Sequence, residues 1–115
     1  MALDLGTQQA LRLWHRALSD SVRRDAPDLS ARQMAIMMTV YMDSGPHTVR
    51  GLSAGLNISK PAVTRALDRL GELDFVRRMK DPDDKRSVLL RPSVPGSVFL
   101  TDFAELIVKA SKTSD

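Results

Sequence analysis

Apolar and polar positions alternate along this chain with helical spacing almost throughout. From Thr7 to about Arg24, Leu11, Trp14, Leu18 and Val22 form a stripe that Ala10 and Ala17 reinforce, the pattern of an amphipathic helix. Its other face carries Arg12, Arg16, Arg23 and Arg24, and Asp25 to Asp28, with Pro27, breaks it. Ser30 then opens a second helix, with Gln33 placed to complete a capping box and Leu29 and Met34 placed as a hydrophobic staple. Met34, Met37, Met38 and Tyr41 share a face that Ile36 and Val40 widen. So apolar a helix belongs in the core. The methionines are read as core filling rather than as a pliable ligand pocket. Asp43 to Pro46 ends the helix, and His47 to Val49 is placed for a very short strand.

The pattern then shortens. Thr48 caps a helix over Val49–Leu56, where Leu52 and Leu56 share a face, and Asn57 stands at a turn. Ser59 caps the next helix, Lys60 to Leu73, with Pro61 in the first turn and Ile58 and Val63 in staple positions. Val63, Ala66, Leu67, Leu70 and Leu73 make its buried face. Lys60, Thr64, Arg65, Asp68, Arg69 and Glu72 make its polar face. After it, Phe75–Lys80 and Ser87–Pro92 are β-prone runs around the turn-forming, charged Asp81–Arg86. Two short helices joined by a tight turn are a helix-turn-helix, and the following hairpin makes it a winged helix. Pro92 to Gly96 reads as a break. A last helix is expected from about Ser97 to Lys112, with Phe99, Leu100, Phe103, Leu106, Ile107 and Ala110 apolar and Val98 and Val108 off that stripe.

The stretch from about Leu29 to Gly96 resembles the MarR family of bacterial transcription regulators. The resemblance rests on Val63-Thr-Arg-Ala-Leu-Asp-Arg-Leu70, followed by Val76-Arg-Arg and the wing Asp81-Pro-Asp-Asp-Lys-Arg86. It departs from the family pattern at Asp74, where Gly is usual, and at Gly51-Leu-Ser53, where an acidic residue, Leu and Ala are usual. Asp is among the few non-Gly residues that visit the left-handed conformation. The chain is also short for the family, chiefly at the C-terminal end. The resemblance implies homodimerisation through helices at both chain ends. It also implies a wing Arg that enters a minor groove and a wing Asp that orients it, positions matched by Arg86 and Asp84.

Composition changes the picture little, and charge more. The chain has 115 residues, 43% hydrophobic and 27% charged, with no cysteine. Disulfides and thiolate chemistry are thereby excluded, and a single domain over 1–115 is expected. No apolar run is long enough to span a bilayer, so a cytoplasmic protein without membrane association is expected. The net charge is +3, but Arg50 to Arg91 holds ten Lys/Arg against six Asp/Glu, and the remainder holds seven against eight. The positive excess therefore lies on the winged-helix segment, as a DNA-facing surface requires.

No catalytic residue, metal site or cofactor is expected. His15 and His47 lie on separate elements, the aspartates of residues 81–84 lack the EF-hand spacing, and there is no phosphate-binding Gly-rich loop. Nor does anything in the sequence indicate a small-molecule effector. The expected fold is mainly α with a small β-hairpin wing, the DNA-binding lobe over 48–91 being flanked by dimerisation helices at 7–24 and 97–112. The expected partners are double-stranded DNA and a second copy of the chain. Ser59, Lys60 and Thr64 have the reach for bases or phosphates, Arg65 for a bidentate contact to guanine, and Arg69 for either job. The alternative for Arg65 and Arg69 is pairing along the helix with Asp68 and Glu72. Arg77, Arg78 and Lys80 are generic phosphate candidates, and Lys85 and Arg86 are placed for the minor groove. Leu11, Trp14, Leu18, Phe99, Phe103, Leu106 and Ile107 are the expected dimer contacts. The rival is a winged helix used as a protein-interaction module, or as an antagonist that dimerises with another regulator.

Overall fold

In a computed structural model that describes residues 5–112, the elements run α1 (Thr7–Arg23), α2 (Ala31–Met42), α3 (Val49–Leu56), α4 (Lys60–Glu72), β1 (Val76–Lys80), β2 (Val88–Pro92) and α5 (Val94–Ser111). Residues 1–4 and 113–115 lie outside the described residues. Among these, the architecture is mainly α with one antiparallel hairpin. It forms two compact units, one over Leu29–Phe99 and one from the described residues of 1–28 and 100–115.

Within the larger unit, helix boundaries follow their caps. Ser30 Oγ accepts from Gln33 N at 3.1 Å while Gln33 Oε1 accepts from Ser30 N at 2.8 Å, the reciprocal capping box. Thr48 Oγ1 accepts from Gly51 N at 3.0 Å and Ser59 Oγ from Ala62 N at 3.2 Å. Asn57 (φ 55°) and Asp74 (φ 57°) are the described non-Gly residues with positive φ. Each closes its helix in the same way: Ile58 N donates to Ser53 O at 3.2 Å, and Phe75 N to Leu70 O at 2.8 Å. Asp74 therefore does adopt the left-handed conformation expected of it.

α4 packs against α2, α3 and β1, and α2 also against β2. Ile36, Met37, Val63, Leu67 and Leu70 are the largest fully buried side chains. Met34 and Met38 are half-buried, and Met42 is 72% exposed. The hairpin pairs Val76 with Pro92, Arg78 with Leu90 and Lys80 with Val88. Next to it, His47 and Leu90 form a single antiparallel bridge, with Leu90 N donating to His47 O at 2.9 Å. The strand placed at His47–Val49 is reduced to that one pair.

The last helix corrects the sequence reading. α5 begins at Val94, directly after Ser93 and the end of β2 at Pro92, so the segment read as a break over Pro92–Gly96 is where α5 starts. Ser93 supplies the reason: its Oγ accepts from Gly96 N at 3.0 Å, and Ser97 N donates to Ser93 O at 3.0 Å. Pro95 then sits in the first turn, where its missing N–H is no loss. A Cβ on Gly96 would fall on the Tyr41 hydroxyl and the Phe75 carbonyl oxygen, so glycine is required by close approach and not by backbone angle.

In the smaller unit, Ala17, Phe103 and Ala110 are buried, and Trp14 meets Phe103 edge-on with centroids 6.0 Å apart. Leu11, Trp14, Leu18 and Val22 are exposed by 44–68%.

Because Gly96 is wedged against a phenol and a backbone oxygen, Gly96→Ala is expected to cost about 2–3 kcal/mol, the upper part of the range for overpacking. Chemical denaturation of the two proteins checks it. A change below about 0.5 kcal/mol would mean that Tyr41 swings away freely.

Candidate nucleic-acid interface

The helix-turn-helix is the part of the fold with a built polar face. α3 ends at Asn57, and Ser53 Oγ donates to Ile58 O at 2.6 Å, tying the last turn of α3 to the link. Ser53 stands where the family pattern has Ala, and its hydroxyl adds this bond. α4 starts two residues after Asn57's immediate neighbour Ile58, at Lys60. With Ala62, Val63, Ala66, Leu67 and Leu70 buried, a rotation of 100° per residue leaves Lys60, Thr64, Arg65, Asp68 and Arg69 outside. All five are exposed, as are Ser59 and Glu72. The N-terminal N–H groups of α4 and the outward Lys60, Thr64 and Arg65 thus share its N-terminal half, where anions are favoured.

The basic residues divide by partner. Arg69 Nη1 lies 3.7 Å from Glu72 Oε2, and Arg77 Nε lies 3.4 Å from Asp74 Oδ1. Arg78 Nη2 donates to Asp68 Oδ1 at 2.8 Å, linking β1 to the outer face of α4. Asp68, a candidate partner for Arg65 along the helix, is thus engaged from the strand. Among the described residues, Lys60, Arg65, Lys80, Lys85 and Arg86 are exposed and have no ion pair. These ion pairs are more than 40% exposed at both ends and contribute little to stability.

The wing tip is organised by its aspartates. Asp81 Oδ1 accepts from Asp83 N at 2.9 Å, and Asp81 N donates to Ser87 O at 3.1 Å. Asp84 does more: Oδ1 accepts from Arg86 N at 3.0 Å, Oδ2 from Ser87 Oγ at 3.1 Å, and its carbonyl from Ser87 N at 3.0 Å. Its carboxylate holds the backbone of the turn, leaving the Arg86 side chain exposed. These are Asx-type bonds, local and cheap to form.

Expected dimer contacts separate into two sets. Leu11, Trp14 and Leu18 are exposed, and Leu106 and Ile107 half-buried. Phe99 and Phe103 are only 6% and 3% exposed. Each is used within the chain, Phe99 against Phe75 with ring centroids 4.6 Å apart and Phe103 against Trp14. The exposed apolar positions of α5 are instead Val94, Val98 and Val108. Periodicity shows that residues share a helix face, but two faces of α5 are apolar, and only packing tells which is covered. Asp68 as partner of Arg78 was also missed; that contact spans ten residues and has no local signature.

Among the described residues, no helix is long and apolar enough to cross a membrane, and no cluster of His, Cys, Asp or Glu could hold a metal ion.

Comparison with known proteins agrees with this geometry. The uncharacterized HTH-type transcriptional regulator YcgE of Bacillus subtilis (strain 168) is 29% identical over 98 residues, covering 85% of this chain and 58% of its own length. The chain therefore spans somewhat more than half of that relative. The crystal structure of wild-type MarR (apo form) from E. coli matches with a TM-score of 0.67 and 26% identity, over 93% of this chain and 78% of that one. A mutant MarR from E. coli complexed with operator DNA matches with a TM-score of 0.66 and 24% identity, over 87% and 66%. The MarR family model matches residues 29–88, from the Leu that precedes α2 to the first residue of β2, and the chain belongs to the MarR family.

Proposed function

We propose that this protein is a sequence-specific, double-stranded DNA-binding transcriptional regulator acting in the cytoplasm as a homodimer on a near-palindromic operator. The outward face of α4 carries this reading: Lys60, Thr64 and Arg65 stand exposed and unpaired at the N-terminal half of a helix whose other face is buried. A helix presented in this way fits the major groove, where an Arg contacts guanine O6 and N7 in bidentate fashion. Lys85 and Arg86, on a turn braced by Asp84, suit the minor groove. Arg69, Arg77 and Arg78 serve as phosphate contacts, held in register by their acidic partners until the backbone replaces water around them. Two observations on relatives support the reading. YcgE bears the description of an HTH-type transcriptional regulator, and the E. coli MarR mutant that shares this fold is complexed with operator DNA.

The second copy docks through α1. Its Leu11, Trp14, Leu18 and Val22 expose a continuous stripe along one side, and exposed apolar surface of that kind marks a partner interface. An isologous pair would present two α4 helices to successive major grooves, about 34 Å apart.

Three measurements test the reading. Arg65→Ala should lose about 1–3 kcal/mol of specific binding and relax base preference at one position per half-site, read by competition against single-base operator variants. An equal loss for every sequence would make Arg65 a phosphate clamp. Asp84→Ala should leave the melting transition within about 0.5 kcal/mol yet accelerate hydrogen exchange at the Arg86 amide and weaken DNA binding, because the turn loses the acceptor of two bonds. Unchanged exchange at that amide would show that the turn holds without Asp84. Leu11→Glu, at a position 68% exposed, should convert dimer to monomer in light scattering with the far-UV spectrum preserved. A wild-type chain that is already monomeric at tens of micromolar concentration would overturn the homodimer and favour the interaction-module alternative.

A further inference from the structure

The C-terminal end of α2 carries a negative charge without a counterpart among the described residues. The last carbonyls of a helix form the negative end of its dipole, where cations are favoured and carboxylates are not. α2 nevertheless has Asp43 as its C-cap and no basic residue in its last turn. The Asp43 carboxylate is exposed and makes no ion pair among the described residues. Beside it a cleft of about 370 Å³ opens between the end of α2 and α3, lined by Asp43 and by no Lys or Arg. Two further polar groups on its walls are acceptors. Thr39 Oγ1 donates its proton to Ala35 O at 2.8 Å and keeps its lone pairs. His47 Nε2 lies 2.9 Å from Asp43 O, a carbonyl that can only accept. In the neutral ring the proton therefore sits on Nε2, and Nδ1 is an acceptor. On the α3 side, the N–H groups of Gly51 and Leu52 are already taken by Thr48. The rest of that wall is apolar, with Leu52 buried and Leu56 half-buried. A Cβ on Gly55 would meet nothing within 4 Å, so the cleft stays open along the helix. Arg91 lines a second cleft that shares Asp43, Pro46 and His47, but it makes no ion pair with Asp43.

We propose that the cleft between α2 and α3 binds a small organic ammonium ion, its charge against Asp43 and its apolar body beside Leu52 and Leu56 in the space that Gly55 leaves. An ammonium brings three donors to walls rich in acceptors, and it compensates the carboxylate and the helix end together. An apolar body removes leucine surface from water, which a bare inorganic cation cannot do. A metal ion lacks ligands here: Asp43 and His47 are the lining side chains of ligating type, and no group of three His, Cys, Asp or Glu exists among the described residues. The volume lies near the lower end of small-molecule sites, about 300–1,000 Å³, so a single ring with a short amine arm fits. The site is built from α2, α3 and the segment joining them, and it holds whether or not the chain reads DNA.

Phenethylamine, phenethyl alcohol and phenylacetate share a body and differ in charge, and they serve as probes of the isotope-labelled full chain. Phenethylamine should shift the amide resonances of Asp43, Thr48, Gly51 and Gly55 saturably, with a millimolar Kd. The alcohol should bind about fivefold more weakly, the upper end for an exposed ion pair, and phenylacetate more weakly still. Asp43→Asn should weaken phenethylamine by about the same factor and leave the alcohol unchanged. Gly55→Leu fills the cleft from α3 and should remove binding of both, with circular dichroism showing a folded protein. Gly55→Ala, which adds one methyl in open space, serves in its place if the leucine variant unfolds. Equal binding of amine and alcohol, or an amine affinity unchanged in Asp43→Asn, would overturn the proposal. So would shifts that map elsewhere, binding retained in the Gly55 variant, or no saturable shift with the amine at tens of millimolar.

Discussion

Burial of one face of α4 is the constraint on which the rest of this structure depends. Val63, Leu67 and Leu70 are almost wholly removed from water against neighbouring elements, and truncating such a leucine to Ala costs about 2–5 kcal/mol. A helix anchored so firmly has no rotational freedom. Which residues face outward is then decided by the same packing that decides which face inward: Lys60, Thr64, Arg65 and Arg69 are exposed because the positions between them are not. The polar face is the complement of a core face, and neither can drift without the other.

Helix ends matter as much as helix faces, because they set where each outward residue lies along the axis. Thr48, Ser59 and Ser93 each start a helix with one hydroxyl oxygen accepting from a first-turn N–H. Asn57 and Asp74 each end one in the left-handed conformation. Asp74 has a cost that Gly would not. The Phe75 N–H to Leu70 bond and the bond that the Asp74 carbonyl accepts from Ser93 offset it. A local strain is tolerated there because the exit of α4 is held from several sides.

Much of this was legible in the sequence, and the reason is that caps and periodicity are local. Ser30 with Gln33, Thr48, Asn57 and Ser59 bound α2, α3 and α4 within one residue of the observed limits. The wing pattern placed the strands to the same accuracy. What escaped depends on residues far apart. Pro92 to Gly96 looks like a break until Ser93 is seen capping and Gly96 is seen against Tyr41, 55 positions earlier in the chain. Phe99 and Phe103 look like an open stripe until Phe75 and Trp14 are found on them. For α5, apolar on more than one side, composition alone cannot choose the covered face, whereas α4 has only one apolar face to bury. The same distinction separates Arg65, whose exposure follows from α4, from Asp68, whose partner Arg78 arrives from another element.

The ion pairs around α4 and β1 are weak because they are exposed. Arg69, Arg77 and Arg78 each face a carboxylate, yet all are open to solvent, where a pair contributes at most about 1 kcal/mol. Such a pair fixes a long side chain without consuming it. A guanidinium has five N–H donors, and the single close bond from Arg78 to Asp68 leaves the others directed elsewhere. Part of the rotamer entropy that a phosphate contact would cost is thereby met before any ligand arrives. Arg65, Lys85 and Arg86 have no such partner among the described residues, so ordering them would fall entirely on a ligand. On the proposed reading, contacts to the uniform DNA backbone would be held in advance, and contacts that discriminate among bases would form only where the sequence is right.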